Sequence, residues 1–174
     1  PAGLYARKQW LDERNTQRWQ VDFRATVDAL LSGQAEDGSW GQSIVMTIQR
    51  IFGLHLTIRS QNEQIYKALD WLMGKACTAF NRTRADLKEH FNPKALQGLP
   101  FPPGSTGLLI MGAALFLASI FGCENDKRVL RFYEWLSLES ISKGGRWCGW
   151  SCFNNVLRAF VVHPKYSQHE ATAL

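Results

Sequence analysis

Apolar residues recur along most of the chain at intervals of three and four, the spacing that places them on one face of an α-helix. The first clear case begins after Thr16, and within it Trp19, Phe23, Val27 and Leu30 share a face. No segment alternates apolar and polar residues in the manner of a β-strand. The pattern therefore predicts an all-α protein.

Polar and small residues mark where these helices begin and end. Thr16 and Ser43 precede two of the periodic segments and can accept a hydrogen bond from the first helical turn. Gly33 stands where a left-handed residue commonly ends a helix. Two further starts have alternatives, namely Ser60 or Asn62 and Asn125 or Asp126. We predict helices over the segments 17–33, 44–59, 63–80, 106–122, 127–139 and 152–162.

The longest apolar run, 107–123, raises the question of a membrane span. It is a little shorter than the roughly 20 residues that cross a bilayer, and polar residues flank it. A helix that is apolar on all sides can equally lie in a protein core. We expect a buried core helix and no transmembrane segment.

An internal repeat organises the helices. "LTIRSQNEQIYKALDWLM" aligns with "ASIFGCENDKRVLRFYEWLS" at a constant offset of 64, with Trp71 opposite Trp135 and Ile65 opposite Val129. The unit reads as a helix, a Gly-x-Trp loop, a second helix and a polar turn, and the second unit has an insertion at 74–105 in place of that loop. Because one helix pair cannot bury both of its faces, such units must stack. We expect a single domain over 1–174 with units at about 17–60, 61–123 and 124–166, and a fourth beginning at 167.

One loop carries a specific motif. Gln34, Gly38 and Trp40 stand in "GQAEDGSWGQS", and the third unit keeps only Gly145 and Trp147. The Gln-x3-Gly-x-Trp spacing resembles the repeat of squalene and oxidosqualene cyclases, and "DGSW" also resembles the prenyltransferase β-subunit-like superfamily. The resemblance implies stacked helical hairpins in a partial or small α/α toroid. It also implies that the Gln and Trp close a helix-to-helix joint rather than contact a substrate.

The catalytic signatures of those families are missing from this sequence. There is no Asp-x-Asp-Asp motif, and "ACTAF" has Ala76 and Phe80 where the related cyclase motif has acids. Without a carboxylic acid, no group is positioned to protonate an alkene or epoxide. The sequence also lacks the Asp-x-Cys pair through which protein prenyltransferases bind zinc. Catalytic residues therefore stay unknown, and no cofactor is expected.

A toroid would place the second helix of each hairpin around an apolar cavity. These inner helices would be 43–59, 106–122 and 152–162. Their candidate cavity residues are Gln49, Phe52, His55, Phe116 and Phe153. The alternative interpretation is that these side chains simply belong to the core.

A second set of residues has the composition of a zinc site, namely Cys148, Cys152, His163 and His169. Residues 152–162 read as one helix, which at 1.5 Å per residue separates Cys152 from His163 by about 16 Å. One helix cannot bring both to a single ion. We therefore expect no metal here, and two buried thiols with two surface histidines.

Composition narrows the function classes. The net charge is +5, but no run of basic residues is long enough to indicate nucleic-acid binding. Four cysteines without a signal peptide are typical of a reducing compartment, so we expect a cytoplasmic protein, with peripheral membrane contact left open. "HEATAL" ends partway through a repeat, which suggests a piece of a longer chain or a partner subunit.

Two functions remain. The first is a terpenoid cyclase-like or prenyltransferase-like domain that binds an isoprenoid or other apolar substrate. The second is a non-catalytic helical-repeat scaffold that binds a protein or a lipid. Family resemblance favours the first, and the missing acids favour the second.

Overall fold

The structure is a computed structural model. It describes the backbone of residues 1–80, 106–142 and 150–167, and the side chains of residues 1–77, 110–137 and 154–167. Over these ranges the protein is all-helical and contains no strand, so the predicted all-α class is confirmed there. The toroid arrangement stays a prediction. The helices are α1 (Ala2–Trp10), α2 (Gln17–Leu31), α3 (Ile44–Thr57), α4 (Glu63–Phe80), α5 (Thr106–Ile120), α6 (Lys127–Ser142) and α7 (Trp150–Val162), with one 3-10 turn at Glu13–Asn15.

Side-chain caps fix where four helices begin. The hydroxyl of Thr16 accepts from the backbone N–H of Trp19, and that of Ser43 accepts from Met46. Both N-caps match the prediction. At the two alternative starts, Asn62 caps α4 and Asp126 caps α6, since each side chain accepts a backbone N–H from the first turn.

The chain forms two compact units, residues 1–68 and 69–174, whose boundary falls within α4. In the first unit, α1 packs on α2 and α3, although the sequence pattern did not predict α1. The indole Nε1 of Trp19 donates to the carbonyl of Leu4 at 3.1 Å. Arg7 pairs with Glu13 at 2.6 Å and with Asp22 at 2.7 Å. These contacts attach α1 to the hairpin that follows it.

In the second unit, α5 and α7 pack closely against each other. A Cβ placed on Gly112 would lie 2.8 Å from the carbonyl carbon of Asn155, so only glycine permits this approach. Tyr133 of α6 is buried and contacts both of these helices through its hydroxyl. Its hydroxyl donates to the carbonyl of Ala159 at 2.7 Å and lies 3.0 Å from the Ser119 hydroxyl. Burial raises the pKa of the Tyr133 phenol well above its usual range.

The internal repeat is visible in burial and hydrogen bonding. Ile65 of α4 and Val129 of α6, 64 residues apart, are both fully buried. The turn after α3 is closed by a bond from Arg59 N–H to the Leu54 carbonyl. The turn after α5 has the equivalent bond, at the same offset, from Cys123 N–H to the Ala118 carbonyl.

The third hairpin follows the same pattern. Leu54, Ala118 and Ala159 are all fully buried at corresponding points of α3, α5 and α7, with spacings of 64 and then 41 residues. Ile51, Leu115 and Val156, three residues earlier, repeat the match. The second helices of all three hairpins therefore match at these two buried positions.

None of the helices within the described residues combines the length and apolar character needed to span a bilayer.

Candidate functional site

The loop between α2 and α3 brings Gln34, Gly38 and Trp40 together at one junction. The amide nitrogen of Gln34 donates to the Gly38 carbonyl at 2.9 Å and to the Gln64 carbonyl at 2.8 Å. Gln64 lies in the first turn of α4. One side chain thus closes its own loop and ties that loop to the helix of the next hairpin.

Trp40 is the buried aromatic residue of the same junction. Its side chain is buried, and its indole Nε1 donates to the Ser32 carbonyl, beyond the end of α2, at 2.9 Å. Its backbone N–H donates to the Thr47 hydroxyl in α3 at 3.2 Å. Trp40 therefore links the end of α2 through its ring and α3 through its backbone, and its buried ring is not available to contact a ligand.

Gly38 lets the loop sit directly on α4. Its φ is +89°, and a Cβ there would lie 2.4 Å from the carbonyl oxygen of Lys67 and 2.9 Å from the amide nitrogen of Ala68. Asp37 shapes the turn beside it by accepting from both the backbone N–H and the hydroxyl of Ser39. The junction is a backbone-to-backbone contact that requires glycine.

The third-unit residues Gly145 and Trp147 lie outside the described residues, so their predicted role stays a prediction.

Three candidate cavity residues share one side of α3. Gln49, Phe52 and His55 are each half-buried, and the rings of Phe52 and His55 lie 5.9 Å apart. Burial, together with the positive charge of Arg59, lowers the pKa of His55 below its usual 6.5. This imidazole is therefore neutral at physiological pH and can donate one hydrogen bond while accepting another.

The other two candidates belong to the second unit. Phe116 is half-buried on α5, and the side chain of Phe153, on α7, lies outside the described residues. The candidates are thus divided between the two compact units.

Sequence reasoning missed a regular feature of these helices, which we call the apolar pairs. Each second helix carries two apolar side chains, one turn apart, that are not fully buried. The pairs are Phe52 with Leu56, Phe116 with Ile120, and Leu157 with Val161. They occupy equivalent positions in the repeat, and Val161 is 55 % exposed. The sequence signal for these pairs is the spacing of 41 residues between equivalent positions of α5 and α7.

A shallow groove of about 440 Å³ lies in the first unit, between α2 and α3. It contains none of the predicted cavity residues. Small side chains of α2, among them Ala25 and Ala29, form one wall, and the guanidinium of Arg50 forms part of the other. Arg50 also donates to the Ala29 carbonyl.

The structure describes one histidine of the predicted zinc set. His163 is buried rather than on the surface. Its Nδ1 accepts from the Lys165 N–H at 3.1 Å, and its Nε2 lies 3.2 Å from the Glu124 carbonyl. Both ring nitrogens therefore have protein partners, and the ring packs against Tyr133 with centroids 4.4 Å apart. The side chains of Cys148, Cys152 and His169 lie outside the described residues.

Two acids that could act as proton donors are already engaged. Arg128 pairs with Asp70 at 2.8 Å and with Asp126 at 2.7 Å. Hydrogen bonds from Arg128 lower the pKa of Asp126 below its usual range, which keeps it ionised near neutral pH. Among the described residues, no three His, Cys, Asp or Glu side chains lie close enough to hold a metal ion.

Comparisons with protein families, with curated proteins and with solved structures found no match for this chain.

Proposed function

We propose that this protein binds an isoprenoid or other elongated apolar molecule at the apolar pairs of its second helices, on α5 and α7 of the second unit. The observation that carries the proposal is the recurrence of the apolar pairs. A helix whose partly exposed face stays apolar at the same positions in three repeats favours an apolar partner.

The second unit offers the best-defined surface for such a ligand. There α5 and α7 are in direct contact through Gly112 and Asn155, because no Cβ separates them. Phe116 on one helix and Leu157 on the other occupy equivalent repeat positions. Aromatic and branched apolar side chains gain roughly 25 cal/mol for each Å² removed from water, so covering these pairs would supply the binding energy.

We propose that the protein binds this ligand without catalysing a reaction on it. Asp70 and Asp126 both pair with Arg128 and do not resemble a protonating acid pair. The alternative is a non-catalytic helical-repeat scaffold for a protein or a membrane lipid. It draws on the same observation, since an apolar face also suits a helix of another protein.

A ligand titration tests the proposal. Squalene and farnesol, each dispersed below its aggregation limit, are added while the melting temperature of the full chain is followed. We expect both to raise it, since a ligand that binds only the folded state stabilises it. Phe116→Ser combined with Leu157→Ser is expected to abolish the shift.

The matched control is Val21→Ser, which alters an apolar side chain of α2 that is 60 % exposed. This variant is expected to keep the full ligand response. Equal loss of response in the control, or no response in the unmodified chain, would rule out the proposed surface. Stabilisation by lipid vesicles but not by the free apolar molecules would favour the scaffold instead.

A further inference from the structure

The buried imidazole of His163 joins two turns of the second unit. One is the turn between α5 and α6, whose Glu124 carbonyl lies 3.2 Å from Nε2. The other is the turn over residues 163–167, directly after α7, whose Lys165 backbone nitrogen lies 3.1 Å from Nδ1. The two turns therefore meet at a single titratable side chain.

These two partners fix the protonation state of the His163 ring. The backbone N–H of Lys165 can only donate, so Nδ1 accepts and carries no hydrogen. The Glu124 carbonyl can only accept, so Nε2 carries the hydrogen and donates it. The ring holds both turns only as the neutral imidazole. A second proton would go to Nδ1 and set its N–H against the N–H of Lys165, which ends that hydrogen bond.

The rings and the cation around His163 do not favour a second proton. The rings of Tyr133 and Tyr166 lie 4.4 Å and 4.9 Å from the imidazole, centroid to centroid. Burial raises the pKa of the Tyr133 phenol, which keeps it neutral. The Lys165 ammonium lies over the Tyr166 ring, 5.3 Å from its centroid, and is a nearby like charge.

The acidic groups of the α5–α6 turn do not pair with the ring either. Asp126 is paired with Arg128 at 2.7 Å, and burial raises the pKa of the Cys123 thiol, which keeps it neutral. The buried Oε2 of Glu124 has no hydrogen-bond partner, so this atom is not bonded to the imidazole. A positive charge on the ring would therefore be buried without a bonded carboxylate among the described residues, which is unfavourable.

The turn after α7 is built around the same residue. The backbone N–H groups of Tyr166 and Ser167 both donate to the His163 carbonyl, at 3.1 Å and 2.9 Å. Tyr166 is buried, and its ring stacks on that of Tyr133 with centroids 5.0 Å apart. Loss of the ring bonds of His163 would thus loosen a turn that covers an aromatic cluster.

We propose that His163 is a pH-sensitive switch. The neutral ring holds the turn after α7 against the α5–α6 turn, and uptake of a second proton releases it. Histidine changes its charge between about pH 5 and 8, so the contact is complete above about pH 7 and is lost as the pH falls toward about 5. The switch lies within the second unit, does not depend on a bound ligand, and goes beyond the proposed apolar binding.

NMR of the full chain tests the switch on the unmodified protein. At about pH 7.5, nitrogen-15 shifts of the His163 ring are expected to show hydrogen on Nε2 and none on Nδ1. Between about pH 7.5 and 5, amide protection factors of Lys165, Tyr166 and Ser167 should fall by at least roughly fivefold, the effect of one lost hydrogen bond. Amides of α5 should keep their protection over the same range, because the release is local.

His163→Asn provides the non-titrating variant. An asparagine oxygen can accept from the backbone N–H two residues ahead, as Nδ1 does here, so Lys165 should keep a protection factor that no longer depends on pH. The matched control is His55→Gln, which removes a histidine from the other compact unit and should leave the response at Lys165 unchanged.

Several results would overturn the proposal. They are a hydrogen on Nδ1 of His163 at neutral pH, protection of the turn that does not change with pH, and an equal loss of protection throughout α5. A pH response that persists in His163→Asn would do the same. Because the first three are measured on the unmodified chain, they hold even if the variant does not fold.

Discussion

Replacing Gly38 by alanine probes the junction between the first hairpin and α4. Two effects add. The φ of +89° is one that residues with a side chain adopt only at a cost of about 1–2 kcal/mol. The new methyl group would also lie 2.4 Å from the Lys67 carbonyl oxygen and 2.5 Å from its carbon. These are helix backbone atoms, which cannot rotate away, and such overpacking costs roughly 1–3 kcal/mol.

The expected loss is therefore about 2–5 kcal/mol of unfolding free energy. Gly33→Ala provides the matched control. Its φ is +70°, but nothing lies within 4 Å of the added carbon, so it should lose only about 1–2 kcal/mol. Gly74→Ala, a helical position with the same open surroundings, should instead gain roughly 0.5–1 kcal/mol.

Urea unfolding followed by tryptophan fluorescence measures all three variants. The difference between Gly38→Ala and Gly33→Ala isolates the contact with α4 from the backbone conformation. If the two variants lose the same free energy, the loop does not sit on α4 as described. A stable Gly38→Ala protein with unchanged unfolding would refute the reasoning altogether.

The remaining predictions concern packing, a buried hydrogen bond and pH. Gly112→Ala would place a Cβ 2.8 Å from the carbonyl carbon of Asn155, and we expect a loss of about 1–3 kcal/mol in urea unfolding. Tyr133→Phe leaves the buried Ala159 carbonyl without its phenol donor, which should lower the unfolding free energy by roughly 1–3 kcal/mol; an unchanged midpoint would contradict that bond. The lowered pKa of His55 means that the unfolded chain takes up its proton first, so stability should fall as pH drops below 6.5 and be unaffected above it. His55→Gln should remove that part of the pH dependence in thermal melts.

The helix starts were predictable because capping is a local property. Thr16 and Ser43 each need only the backbone of the next turn, and both caps form where the pattern placed them. In contrast, α1 was not predicted. Only Leu4 is buried in that helix and no side chain caps it, so its sequence carries neither a clear apolar stripe nor a start signal.

The junction shows the limit of motif reasoning. The sequence grouped Gln34, Gly38 and Trp40, but their partners across the junction are the Gln64 carbonyl and the peptide between Lys67 and Ala68. Every residue type offers the same backbone atoms, so no sequence signal identifies which peptide is contacted. The sequence could indicate that a joint exists, but not what it touches.

Recognising the apolar pairs required the burial of each side chain as well as the sequence pattern. Phe52 and Phe116 stand out as aromatic, whereas Leu157 looks like any core leucine. Its partial exposure becomes informative only when Leu54, Ala118 and Ala159 fix the register of the three helices. The environment of His163 also could not be read from the sequence. Both partners of its ring are backbone groups, which no sequence motif identifies.

The most direct test of the account is to locate a bound apolar molecule. Crystals soaked with a long-chain alkyl bromide would reveal the bromine by its anomalous scattering, without assumptions about the rest of the ligand. We predict that the signal lies beside Phe116 and Leu157, and that it disappears when both are changed to serine. Bromine bound only in the α2–α3 groove, or bound equally well in the double variant, would contradict the central claim that the repeated apolar pairs form the ligand surface.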